Sequence, residues 1–223
     1  MERKWFEEDF SGNSKHLVVG FGSLRMFHKT KKKGFEWQNL FKYKYNDLDF
    51  KKLYVADIRN SWWHTKFGNL PGIGPPTLTK FLLEKIKKAN VEKTLFVGVS
   101  MGGYGAILFG CLTNATKVMA VSPQTFLTEA RLYKKGLNEK FKGYDVDETY
   151  TDLKDVLRNT KNNKTIYKIW YGKLNGGDSK AVKRISHIKN VHIHSVNSSK
   201  HVVITPVLKS GLFREEMVEF LSN

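Results

Sequence analysis

Between Thr94 and Gly110 the chain reads TLFVGVSMGGYGAILFG. The run Leu95-Phe96-Val97 suits a strand buried on both faces, and Ala106-Ile107-Leu108 lies in a second apolar run with helical spacing. Gly98-Val99-Ser100-Met101-Gly102-Gly103 joins them, so the chain turns from strand to helix within a few residues around one serine. In so tight a turn a Cβ on either flank would meet the neighbouring strand or helix, which is why the pattern needs glycine at 98 and 102. The serine hydroxyl is left pointing out above the sheet edge.

The rest of the chain repeats the alternation of short apolar runs with longer amphipathic segments, the pattern of parallel strands joined by crossover helices. Strands are expected at His16–Phe21, Leu53–Asp57, Thr94–Val99, Lys117–Val121, Thr165–Tyr171 and Val191–Ser195. Helices are expected at Thr77–Ala89, started by Pro75-Pro76, and at Gly103–Cys111, Tyr150–Leu157 and Ser179–Ile185, with a last one from about Thr205 to Leu221. The fold class is therefore α/β, a mostly parallel central sheet with helices on both faces. With 223 residues, of which 40% are apolar, the whole of 1–223 is read as one domain. The polar interval 123–164 is read as surface helices or a small cap, and the short spacing between strands leaves room for little or no lid.

The charged start, Met1 to Asp9, lacks the apolar core of a secretory signal, and no window approaches about 18 uninterrupted apolar residues. A cytoplasmic protein without a membrane span is expected. The single cysteine, Cys111, falls in the apolar helix and reads as a small buried hydrophobe, so neither thiol chemistry nor a cysteine-based zinc site is supported. No metal and no organic cofactor is called for. The net charge of +17 would draw anionic partners. Its densest cluster, His28 to Lys33, with Lys42, Lys44, Lys51 and Lys52 following between aromatics, has a spacing that suits single-stranded nucleic acid. No established nucleic-acid motif accompanies it, so these lysines are read as a solvated surface and nucleic acid is not expected as a partner.

Gly98, Gly102 and Gly103 do not make G-x-G-x-x-G, and no Gly-Lys-Ser/Thr follows, which argues against dinucleotide and phosphate-loop readings. Gly98-x-Ser100-x-Gly102 instead marks Ser100 as a nucleophile, with the Met101 N–H at the helix N-terminus able to donate to a developing oxyanion. A serine needs a base, and the base needs an orienting acid. His201 follows the last strand-like run across the polar loop Asn197–Lys200, where the chain order serine, acid, histidine puts the base. His192 and His194 share one face of a strand, His16, His28 and His187 have no chemical neighbours in sequence, and His64 is the weaker alternative base. Many hydrolases carry the acid three residues after the strand-ending glycine, a position that Asn175 fills here. The nearest carboxylate is Asp178, in the glycine-rich loop after the sixth expected strand; it could orient His201 or cap the helix that follows. Asp155, Asp145 and Asp147 compete poorly. Trp62 and Trp63, with the loop Phe67–Pro76, leave the end of a strand where α/β sheets place ligands; they could wall a substrate pocket or belong to the core.

Together these residues resemble the α/β-hydrolase superfamily from about His16 to the C-terminus. Val97 to Ala106, Ala120 to Gln124, Asp57 to Trp63 and Asn175 to Ala181 are similar to segments of small bacterial hydrolase-like domains often found beside polysaccharide-modifying or glycosyltransferase modules. The resemblance implies Ser100 as nucleophile, Asp178 as acid and His201 as base. It also implies an oxyanion hole made by the Met101 N–H and a second amide after the first strand; the His-Gly dipeptide common there is missing, which leaves Gly22 or Ser23. The expected function is a serine esterase acting through an acyl-enzyme on a small or exposed acyl ester, either a small molecule or glycan-linked. The alternative is a catalytically silent module that binds an anionic glycan or a partner protein.

Overall fold

Interior strands of this chain are apolar on both faces because helices cover both sides of the sheet. The computed structural model describes residues 4–24, 35–128, 146–161 and 163–222. They form one seven-stranded sheet: β1 (Phe6–Asp9), β2 (His16–Phe21), β3 (Lys51–Val55), β4 (Lys93–Val99), β5 (Lys117–Val121), β6 (Ile166–Gly172) and β7 (Val191–Val196). Their order in space is β1-β3-β2-β4-β5-β6-β7, with β1 antiparallel to β3 and every other pair parallel. The helices are α1 (Glu36–Lys44), α2 (Gly74–Ala89), α3 (Met101–Thr113), α4 (Leu153–Asn159), α5 (Gly176–Lys183), α6 (Ile204–Lys209) and α7 (Leu212–Ser222), with a 3-10 turn at Glu148–Tyr150.

Alternate strand residues feed two cores. Leu17, Val19, Phe21, Phe96, Val118 and Ala120 pack with Leu78 of α2, Ile107 of α3, Val156 of α4 and Val182 of α5. Their neighbours Val18, Leu95, Val97, Met119 and Val121 pack on the other face with Trp37 and Phe41 of α1, Val207 of α6 and Phe213 of α7. Both cores exclude water from side chains with almost no exposure, which is the main stabilising term for a doubly covered sheet. Among the described residues no helix is long and apolar enough to cross a membrane.

The expected strands and helices are present with ends shifted by a few residues. Three features differ. Phe6–Asp9, read only as a charged start, is an edge strand that gains its structure from β3. Helix α1, not among the expected elements, sets Trp37 and Phe41 one turn apart and buries both. The last helix is two, broken at Ser210-Gly211, where Gly211 takes φ +81°. Of the interval 123–164, residues 129–145 lie outside the described residues, as do His28–Lys33 of the lysine cluster and Asp145.

The turn between β4 and α3 decides where the site can be. A Cβ on Gly98 would sit 2.0 Å from the Gly102 carbonyl oxygen, and one on Gly102 would sit 2.4 Å from the Phe21 carbonyl oxygen. Both obstacles are backbone, which cannot swing aside. Gly98→Ala should therefore destabilise the protein by about 3 kcal/mol, whereas Gly176→Ala, at a helical position with nothing within 4 Å of the new Cβ, should leave stability unchanged or raise it by up to about 1 kcal/mol. Urea melts of the two variants check this; equal midpoints would mean the turn is not sterically closed.

Candidate active site

Ser100 sits between β4 and α3 at φ 52°, ψ −115°, a conformation that few non-glycine residues adopt. Its N–H donates to the Val121 carbonyl at 3.0 Å, and its own carbonyl accepts the Tyr104 N–H at 3.0 Å, so both sides of the strained residue are held. The hydroxyl faces His201: Ser100 Oγ lies 3.0 Å from His201 Nε2. His201 Nδ1 lies 2.6 Å from Asp178 Oδ1. With Asp178 as acceptor, Nδ1 carries the proton and Nε2 presents a lone pair to the Ser100 hydroxyl. Asp178 is buried, and the His201 side chain is 40% exposed.

The histidine and the acid meet because β6 is stitched to the loop after β7. Lys173 N–H donates to the Val196 carbonyl at 2.9 Å and Leu174 N–H to the Ser198 carbonyl at 3.1 Å. Gly172 makes this approach possible, since a Cβ there would lie 2.7 Å from the Ser198 oxygen and 2.8 Å from the Lys200 oxygen. Asn175 works in both directions: its Oδ1 accepts the Asp178 N–H at 3.0 Å, capping α5, and its Nδ2 donates to the Ser199 carbonyl at 3.0 Å. The cap of α5 is thus Asn175, and the Asp178 carboxylate, one turn inside the helix, is turned to His201. Asp147 caps the 3-10 turn and Asp155 pairs with Lys154.

Two expectations need correction. Gly22 was one candidate for the second oxyanion donor, but its N–H is spent on the Val55 carbonyl at 2.9 Å, continuing the β2–β3 ladder. Ser23, the other candidate, donates its N–H to Glu36 Oε2 at 2.6 Å and its hydroxyl to Glu36 Oε1 at 3.1 Å. Met101 N–H, the first of α3, has no backbone acceptor among the described residues. The second correction concerns Trp62 and Trp63. Both are buried, Trp63 wholly, so Trp63 has no face to offer a substrate. Trp63 packs on Phe21 and Phe109 and donates its indole N–H to the Met101 carbonyl at 3.1 Å, while Trp62 packs edge-on to Tyr104. Gly68, Asn69 and Leu70 of the adjoining loop line a groove of about 650 Å³ with Trp5, Phe6 and Phe81 against β1; none of its lining residues belongs to the serine site.

The tryptophan loop is tied by Asp57. Its buried carboxylate accepts the N–H groups of Ser61 at 2.6 Å, Trp63 at 3.0 Å and Arg59 at 3.2 Å. These bonds hold Asn60, Trp62 and Trp63 at φ 53°, 55° and 70°, conformations that cost of order 1–3 kcal/mol each without such support. Burial still pushes the Asp57 carboxyl above the ordinary carboxylate range. His64 follows in the same loop, with Nε2 3.0 Å from the Tyr104 hydroxyl, which donates onward to the Tyr150 carbonyl. This buried imidazole faces Tyr104 rather than Ser100. Among the described residues no three His, Cys, Asp or Glu side chains gather to hold a metal.

No family model and no curated protein sequence matches the chain. Solved structures do. The capsule O-acetyltransferase of Neisseria meningitidis serogroup A is similar at a TM-score of 0.67 and 16% identity, over 98% of this chain and 90% of that one. An alpha/beta hydrolase enzyme from the metagenome of sediments of the Mar Chica lagoon, Morocco, is similar at 0.63 and 15% identity, over 98% and 97%. A chain of the glycosylation-associated Gap123 complex of Streptococcus agalactiae is similar at 0.65 and 16% identity, over 98% of this chain and 44% of that one. The chain has the α/β-hydrolase fold.

His64 makes the packing behind the serine turn sensitive to acid. Burial lowers its pKa from 6.5 to about 4, and its Nδ1 has no hydrogen-bond partner among the described residues. The unfolded chain therefore binds a proton that the folded one refuses between pH about 6.5 and 4. His64 has its full neutral-state stability above pH 6.5 and should lose about 3 kcal/mol of it as pH falls to about 4. Urea midpoints measured across that window should fall for the native chain and fall less for His64→Gln; parallel curves would exclude His64 as the source.

Proposed function

We propose that the protein is a serine esterase that forms an acyl-enzyme on Ser100 from a small or exposed acyl ester. The observation that carries the reading is the hydrogen-bonded order Ser100 Oγ, His201 Nε2, His201 Nδ1, Asp178 Oδ1 at 3.0 and 2.6 Å. In this reading His201 takes the Ser100 proton as Oγ attacks the ester carbonyl, and Asp178 steadies the imidazolium that forms. The Met101 N–H, with the Ser23 N–H as second donor, receives the developing oxyanion. Collapse expels the alcohol, protonated by His201. Water, deprotonated by the same imidazole, then releases the acid. No step calls on a cofactor.

The likeness to a capsule O-acetyltransferase and to a chain of a glycosylation-associated complex supports a glycan-linked ester as the substrate class. It also favours a second reading, in which a sugar hydroxyl replaces water as the acceptor of the acyl group. The net charge of +17 suits an anionic glycan in either case. Fold alone does not choose between these acceptors, since the same constellation serves both.

A fluorophosphonate probe and p-nitrophenyl acetate test the reading directly. The native chain should be labelled and should turn over the ester, while Ser100→Ala should do neither. His201→Ala should lose at least about a thousandfold in kcat. Equal labelling of the native chain and Ser100→Ala, or none of either, would leave the fold as a binding module. Adding an anionic polysaccharide separates the acceptors: acetyl groups recovered on the sugar indicate transfer, and acetate alone indicates hydrolysis.

A further inference from the structure

Glu36 stands where the oxyanion machinery of this site would need an open amide. The first turn of α3 lies directly on the end of β2: a Cβ on Gly102 would be 2.4 Å from the Phe21 oxygen and 3.0 Å from the Gly22 oxygen. Ser23 is the next residue, and with the Gly22 N–H spent on β3 its amide is the remaining one of the two candidate donors beside Met101. Helix α1 is anchored at the same point, since the Trp37 indole N–H donates to the Phe21 carbonyl at 2.9 Å. Its first residue, Glu36, holds Ser23 at two points, Oε2 on the amide at 2.6 Å and Oε1 on the hydroxyl at 3.1 Å.

We propose that Glu36 is a latch on the oxyanion hole: in the resting protein its carboxylate occupies the Ser23 N–H that an acyl oxyanion would use, and acyl transfer requires it to let go. A carboxylate oxygen on an amide N–H has the charge and geometry of the oxyanion it stands in for. While it stays, the oxyanion loses one donor and gains a negative neighbour. Burial pushes the Glu36 carboxyl above its ordinary value, opposed by the two Ser23 hydrogen bonds. Glu36 acts on the reaction through Ser23 and is a positioning residue.

The inference rests on the acyl-enzyme reading above, and the two fail differently. Turnover of p-nitrophenyl acetate and the rate of fluorophosphonate labelling are measured for the native chain, Glu36→Gln, Glu36→Ala and Ser23→Ala, each paired with Ser100→Ala, alongside thermal melts. Glu36→Ala frees the amide and should raise kcat by about a hundredfold to a thousandfold, the range expected for restoring one oxyanion donor, with KM within about twofold. Glu36→Gln keeps an acceptor on the amide without the charge and should give a smaller rise. Ser23→Ala keeps the amide but removes one anchor of the latch, and should rise as well; it carries the test together with Glu36→Gln if Glu36→Ala does not fold. A carboxylate that merely braces the loop predicts kcat unchanged or lower in folded Glu36→Gln and Ser23→Ala, and that result overturns the latch while leaving Ser100 chemistry intact. Absence of Ser100-dependent turnover and labelling in every chain overturns the acyl-enzyme reading, and the latch with it.

Discussion

Backbone packed on backbone at the turn from β4 to α3 is the constraint from which the site follows. Gly98 meets Gly102, and Gly102 meets the carbonyl of Phe21, at separations that leave no space for a methyl group. That contact brings the N-terminus of α3 down onto the ends of β2 and β4. It forces Ser100 into a left-handed conformation, with the hydroxyl above the sheet. Strain of this kind persists only where neighbours over-determine it. Here the Val121 carbonyl, the first bond of α3 and the Trp63 indole on the Met101 carbonyl supply that support.

The partners of Ser100 reach it from the far side of the sheet by a different device. Asp178 and His201 are 23 residues apart, one in the β6–β7 crossover and the other in the loop after the last strand, so local geometry alone does not join them. What joins them is the stitching of residues 173–175 to 196–199, made possible at Gly172 and reinforced by Asn175. The result is an asymmetric pair: a buried carboxylate and a partly exposed imidazole. The buried partner holds the ring in one orientation, and part of the ring stays open to solvent.

Much of this was legible in the chain because it is written locally. Strand runs apolar on both faces, the Gly-x-Ser-x-Gly turn and the order of Ser100, Asp178 and His201 each need only a few neighbouring residues to be read. Features that depend on distant partners were not. Phe6–Asp9 has no strand pattern until β3 offers it a ladder, and where α1 docks is set by Trp37 reaching the β2 end. Position after a strand left Trp62 and Trp63 between pocket wall and core; Asp57 folds their loop inward and makes Trp63 a brace for α3. Asn175 was readable as sitting at the usual acid position, yet only its two hydrogen bonds show it relieving Asp178 of the capping role.

The sequence by itself determined the doubly covered parallel sheet, the place of the sharp turn and the order of the candidate residues. Apolar periodicity and steric exclusion at glycine act over a handful of residues, and so they survive in a linear reading. Tertiary structure alone decided which amides remain open beside Ser100. Whether an N–H is free depends on which carbonyl or carboxylate lies within about 3 Å of it. For Gly22 that partner is Val55, for Ser23 it is Glu36, and neither partner is a near neighbour in the chain.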